Sequence, residues 1–464
     1  MSYPEIATET APPAPSWQTQ AAGLPARFRS ALLRGSPTAR ACRGVAWTLL
    51  GSGVSQGAAL LLSIVTARLL GKGPYGAFGM VQSTAGVFGT FAGMGLGVTA
   101  TKYVAELRWV DARRAGRIAT LTLLVALCSG LASGLTLILL SRGLAASTLN
   151  APHLGPQLEV ASALLLATVL CGAQAGVLAG LEVFDCIARV NIVRGILTVL
   201  GGVIGAWEWG LEGAVGALAI SAAFVCIAQH VSLVRACRQA GLPLRVRGVF
   251  EEWPVVWRFS LPVWLGSALV GPVIWWATAI LVNQPGGYGE MGVFNAANQW
   301  RNVVLFLPAI LAQPLLPVLA DSHARQPARF EHLMWLSLAV TAVLSALIVI
   351  PLCVASPWIM ASYGPHFREA WPVLCMLIAS AIPAACCGVV GQALAGSGRV
   401  WTGFGLNLVW AMGLIGLTLA GKRHGAGGLS AAFLGSYLLH LVIVGAYLLF
   451  GANSPSRRNW RSAT

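Results

Sequence analysis

Arg301 is the residue best placed to act on a ligand. It stands beside Asn295, Asn298, Gln299 and Asn302, which recur at i, i+3, i+4 and i+7, so one helical face carries four amides with a guanidinium at its edge. Amides and a planar fork of N–H donors suit an anion, because guanidinium can hold a phosphate through two bonds at once. Arg68 is a second candidate, near the end of an apolar run. The bland alternatives are an interhelical hydrogen-bonding seam for the stripe and a side chain snorkelling to the interface for Arg68. These six residues form the candidate substrate-binding set.

Other chemistries lack their residues. No Walker motif, nucleophile elbow or metal-spaced His/Cys set occurs, so no catalytic residue, metal ligand or cofactor is assigned. His366, Arg368 and Glu369 make the one loop cluster a membrane enzyme could use, and a solvated loop accounts for it more simply. The cysteines fall mostly inside apolar runs (Cys128, Cys171, Cys226, Cys353, Cys375, Cys386, Cys387) and read as small packing residues. Glu159, Glu182, Glu290 and Asp321 all lie near the ends of such runs. A cavity in this chain is therefore expected to be cationic or neutral, which disfavours cationic drugs as cargo.

The elements that position these residues are membrane helices. With 56% hydrophobic and only 10% charged residues, the chain is far from the balance of a soluble domain. The net charge of +15 is spread between the apolar runs instead of forming one patch, which excludes a nucleic-acid binder. Runs free of Asp, Glu, Lys and Arg, such as 44–67, 73–101, 118–141, 160–181, 213–234 and 400–421, exceed the roughly 20 residues needed to span a bilayer. Ranges 259–282, 333–358, 370–398 and 425–450 add four more, and 187–207 and 288–320 are spans that contain arginine. The fold class expected is an all-α polytopic membrane protein of about twelve transmembrane helices. Arg301 lies thirteen residues past Tyr288, hence roughly 20 Å deep at 1.5 Å per residue.

Basic residues collect on one side. The loops carrying Arg108, Arg113, Arg114, Arg117, Arg235, Arg238, Arg245, Arg247 and Arg258 alternate with loops holding only Lys72, Arg142, Arg368, Lys422 and Arg423, and Arg189 and Arg194 count with the basic set. By the positive-inside rule both termini are expected in the cytoplasm, with the chain multi-pass in the inner membrane. Residues 1–42 read as a cytoplasmic tail and 451–464 as another.

The two halves resemble each other. Tyr75-Gly76 pairs with Tyr288-Gly289, Leu178-Ala179-Gly180 with Leu394-Ala395-Gly396, and Asn191 with Asn407, in preserved order. Two six-helix lobes follow, 43–235 and 258–450, related by an axis near the membrane normal. The linker 236–257 carries Val249, Phe250, Trp253, Val256 and Trp257 at one-face helical spacing, so a cytoplasmic amphipathic helix is expected there.

Thr66-Ala67-Arg68-Leu69-Leu70-Gly71-Lys72-Gly73-Pro74-Tyr75-Gly76, then Gly93-Met94-Gly95-Leu96-Gly97 and Lys102-Tyr103-Val104-Ala105-Glu106, resembles the opening of the polysaccharide-biosynthesis exporters, which include the Wzx-type O-antigen flippases. That resemblance implies a MATE/MOP-like pair of lobes around a central cavity. It also implies a flippase that carries a lipid-linked oligosaccharide to the periplasmic leaflet for surface polysaccharide synthesis. Membrane lipids and a polysaccharide polymerase are the implied partners, and proton or sodium coupling is left open. A multidrug or lipid II exporter of the same superfamily is the runner-up, and a membrane-embedded polymerase stands behind both.

Overall fold

The computed structural model describes residues 37–244, 247–312, 327–396 and 400–451. The tail before residue 37, Arg245, Gln313, Asp321, Arg325, Arg399 and the tail after Ser454 lie outside them.

Apolar chain in a bilayer must satisfy its backbone within each segment, and helices do so. The first half comprises α1 (Pro37–Leu70), α2 (Lys72–Gly93), α3 (Leu96–Leu107), α4 (Ala112–Gly143), α5 (Gly155–Gly180) and α6 (Phe184–Gln239). The second comprises α7 (Leu261–Ala268), α8 (Val270–Val282), α9 (Gly287–Ala312), α10 (Pro327–Ser362), α11 (Trp371–Ala379), α12 (Ala381–Gly396), α13 (Val400–Gly421) and α14 (Gly425–Gly451). Pairs α2–α3, α7–α8 and α11–α12 are each one broken span. Helix α6 is two spans, doubled back at Gly210, whose φ of 58° and ψ of −135° leave the helical region. Among the described residues these elements make twelve passes, in line with the expected number of about twelve. Large apolar side chains such as Leu139, Ile220, Trp401 and Val442 stand outward on the bundle, where lipid covers them.

The repeat is visible in backbone geometry. Gly425, opening α14, has φ 56° and ψ −136°, the conformation of Gly210 at the corresponding turn. At the contact between α2 and α9, a Cβ on Gly76 would lie 1.9 Å from the Tyr288 carbonyl oxygen, and one on Gly292 would lie 2.2 Å from that of Lys72. Gly76 therefore corresponds to Gly292 and Lys72 to Tyr288, the same separation that links Leu178 to Leu394. This corrects the register suggested by the two Tyr-Gly pairs. Two identical dipeptides are a weaker alignment signal than reciprocal backbone contacts.

The stretch between the halves differs from the single amphipathic helix expected. Gly241 and Gly248 take positive φ, and the chain then forms a 3₁₀ turn (Val249–Glu252) and a π turn (Val256–Ser260). Val249 and Val256 are buried against Leu121 of α4, whereas Phe250, Trp253 and Trp257 face outward. The apolar residues thus divide between two faces. Buried Glu252 ties the stretch down, accepting from Arg114 at 3.1 Å and from Arg117 at 3.0 Å.

Candidate functional site

The span α2–α3 is broken by its own residues. Met94 (φ 42°) and Gly95 (φ 67°) both adopt the left-handed conformation, which ends α2 and restarts the chain as α3. Breaking a helix in a membrane frees carbonyls that need donors. Here Trp264 Nε1 donates to the Thr90 carbonyl at 3.0 Å and Ser129 Oγ to that of Ala92 at 2.7 Å, while Ser133 Oγ donates to the Phe88 carbonyl, inside α2, at 2.9 Å.

Beside the break is a cavity of about 650 Å3 between α2, α3, α5 and both halves of α6. Its polar lining includes Gln82, Thr90, Thr168, Thr198 and Arg194, and among the described residues Arg194 is the one charged side chain that lines it. Gly86, Gly89, Gly93 and Gly172 line it too, and a Cβ added to any of them would meet no atom within 4 Å. These glycines keep the space open. Arg194 forms no ion pair among the described residues.

Arg194 belongs to the arginine-containing span 187–207, and the structure places it inside a helix. Helix α6 already begins at Phe184, so Arg194 is ten residues inside it, roughly 15 Å at 1.5 Å per residue. The signal available in sequence was a second in-span arginine opposite a Gly-rich span.

The six candidate residues are not brought together. Arg301 is 5% exposed, inside the C-terminal half, and does not line the cavity. Its Nε donates to Ser380 Oγ at 3.0 Å, while Ser380 donates to the Leu377 carbonyl at 2.6 Å. The rings of Phe433 and Tyr437, one turn apart on α14, stand 5.4 and 5.2 Å from its guanidinium carbon. No carboxylate among the described residues pairs with it. Asn295 is buried against Gly79 at the α2–α9 contact, Asn298 and Gln299 are half-buried, and Asn302 is exposed. The stripe thus emerges from between the halves as α9 proceeds.

Arg68 sits elsewhere, at the end opposite the basic loops, with its Nε donating to the Ser362 carbonyl at the end of α10. It belongs to a closure between the halves at that end. Tyr75 Oη lies 2.5 Å from Ser63 Oγ, and Ser63 donates to Tyr363 Oη at 3.3 Å. Tyr75 stacks edge-on against Phe367, and Lys72 Nζ is 5.9 Å from the same ring. Tyr288 donates to the Leu149 carbonyl at 2.8 Å and Asn283 to that of Thr148 at 2.7 Å.

Residues 41–323 match the polysaccharide biosynthesis protein family. The chain belongs to that family. Among similar proteins, this family member is 26% identical over 391 residues to the EPS I polysaccharide export inner membrane protein EpsE of Ralstonia nicotianae, covering 82% of this chain and 86% of that protein. The protein of the same name from Ralstonia solanacearum is 24% identical, with 82% and 87% covered. The fold of this polysaccharide biosynthesis protein is that of the MATE exporters. An inward-facing multidrug MATE transporter superposes with a TM-score of 0.71 at 14% identity over 86% of this chain and 97% of the other. A MOP superfamily transporter from Pyrococcus furiosus, described as having a binding pocket of reverse polarity, gives 0.69 at 15% identity over 92% and 98%. The chain is thus a transporter of the polysaccharide biosynthesis family, built as two lobes.

Proposed function

We propose that this protein flips a polyprenyl-pyrophosphate-linked oligosaccharide from the cytoplasmic to the periplasmic leaflet of a bacterial inner membrane, for surface polysaccharide synthesis. The observation that carries this reading is the polarity of the cavity, whose one charged lining side chain, among the described residues, is Arg194. A carrier of cationic drugs needs carboxylates facing its cargo, whereas a pyrophosphate needs cations. Arg301 supports the same reading from the other lobe. An intramembrane guanidinium held by a hydroxyl and two ring faces, with no carboxylate, is costly by packing alone and fits a group reserved for an anion. Asn295, Asn298, Gln299 and Asn302 would line the path between the lobes, and Arg68 would act at the closure.

Transport runs by alternating access of the lobes 43–235 and 258–450, with both termini cytoplasmic. The closure around Tyr75 and Arg68 is then periplasmic, and the cargo loads from the basic side. The reading gives the chain no chemical step and no resident cofactor. Its cargo passes from glycosyltransferases to a polymerase, and the export role in the names of the Ralstonia proteins supports it.

The test is complementation of a strain lacking its own oligosaccharide flippase. Restored surface glycan, with clearance of the lipid-linked oligosaccharide from the inner leaflet, is expected. Drug resistance without restored glycan would transfer the chain to the multidrug reading.

A further inference from the structure

On the side proposed as cytoplasmic, we infer that the outer surface of the stretch between the lobes is a docking site for an anionic phospholipid. Arg247 and Arg258 take the headgroup phosphate, and the rings of Phe250, Trp253 and Trp257 lie among the glycerol and upper acyl chains. The position in the chain dictates a lipid neighbour. Helix α6 has left the bilayer by Gln239 and α7 re-enters it from Leu261, so residues 247–258 run along the interface between one span and the next. Phe250 is 72% exposed and Trp257 57%, and tryptophan rings of this kind are favoured at the level of the headgroups.

The surface is held in place from beneath. Val249 and Val256 are buried against Leu121, and Glu252 accepts from Arg114 and Arg117. Gly116 of α4 admits the linker backbone, since a Cβ there would stand 2.3 Å from the Pro243 carbonyl oxygen. Toward α7, Ser260 Oγ lies 2.6 Å from Thr99 Oγ1, and Lys102 Nζ stands 4.3 Å from the centre of the Phe259 ring. The same bonds set the charge of the outer face. Both carboxylates are engaged by α4: Glu252 is buried between two arginines, and Glu251 stands 3.9 Å from Arg117. Arg247 and Arg258 are exposed and form no ion pair among the described residues. Arg247 precedes Phe250 by three residues and Arg258 follows Trp257 directly, so the aromatic surface carries a free guanidinium at each end. A guanidinium holds a phosphate through two bonds at once, and two such cations favour a lipid of net negative charge over a zwitterionic one, whose own ammonium they repel.

The test is native mass spectrometry of the full chain released from nanodiscs that hold equal amounts of phosphatidylglycerol and phosphatidylcholine with the same acyl chains. Phosphatidylglycerol is expected to be retained about fivefold or more over phosphatidylcholine, the scale of one basic side chain at a charged lipid surface. The double variant Arg247→Gln, Arg258→Gln should bring retention near parity with the melting temperature unchanged, because neither side chain is buried. Phe250→Ser with Trp257→Ser should weaken both lipids and keep the preference. Arg142→Gln with Arg423→Gln, exposed at the opposite end, should leave it as in the wild type. Equal retention of the two lipids by the wild type, or an intact preference in the Arg247→Gln, Arg258→Gln variant, overturns the site. The occupant in cells is read with p-benzoylphenylalanine in place of Phe250. A photoadduct of phospholipid mass supports the proposal, and an adduct to another protein or to a second copy of this chain overturns it. Binding in nanodiscs depends on neither cargo nor orientation, so this site stands or falls separately from the transport reading.

Discussion

Gly76 meets Tyr288 so closely that a Cβ on it would stand 1.9 Å from the Tyr288 carbonyl oxygen, and Gly292 meets Lys72 in the reciprocal way. The lobes therefore touch across a pseudo-twofold at α2 and α9, with two glycines permitting the approach. Any added carbon must push backbone, not a flexible side chain. Gly76→Val is expected to part the lobes at this end. Labelling of Asn295→Cys by a membrane-impermeant maleimide added to spheroplasts should rise several-fold over the same reporter with Gly76 intact. Unchanged labelling would show that the contact does not hold the closure.

Beside that contact, the single hydroxyl proton of Ser63 goes to Tyr363, so Tyr75 donates to Ser63 and a two-bond chain crosses from α2 through α1 to the end of α10. Tyr75→Phe removes one buried bond and leaves its acceptor unmet, which costs about 1–2 kcal/mol. If the bond forms only in this state, the closed population falls roughly five- to thirtyfold. Spin labels at Arg68→Cys and Ser362→Cys should report longer distances. An unaltered distribution would mean the bond persists when the lobes move.

Arg301 is held by Ser380, Phe433 and Tyr437 without a carboxylate, so its charge and its packing can be separated. Arg301→Lys keeps the cation, loses the fork and should retain partial glycan export. Arg301→Gln keeps a donor for Ser380 and should abolish export with normal membrane protein levels. Loss of protein from the membrane in Arg301→Gln would instead assign the residue to the lobe core.

The charge asymmetry predicts the membrane orientation. An alkaline phosphatase fusion at Lys422 should be active, and fusions at Arg113 and after Ser454 silent. Activity after Ser454 would reverse the orientation, and with it the side from which the closure at Tyr75 opens.

Hydropathy and charge are sums over neighbouring residues, so the sequence alone determined the spans, their number, the basic side and the existence of a repeat. Family resemblance was legible for the same reason, in the run from Thr66 to Gly76. Which polar residues meet was not local information. Arg194 and Arg301 are both in-span arginines, yet one lines a cavity and the other is caged by α11–α12 and α14. Periodicity fixes which residues share a face of α9 but not what that face packs against, so its stripe runs from buried Asn295 to exposed Asn302. The break at Met94-Gly95 interrupts a run that hydropathy reads as continuous. It is supported by Trp264 and Ser129, from other spans, which bond the Thr90 and Ala92 carbonyls it frees. Helix rotation and helix breaks are decided by partners far away in the chain, and only the folded bundle brings those partners together.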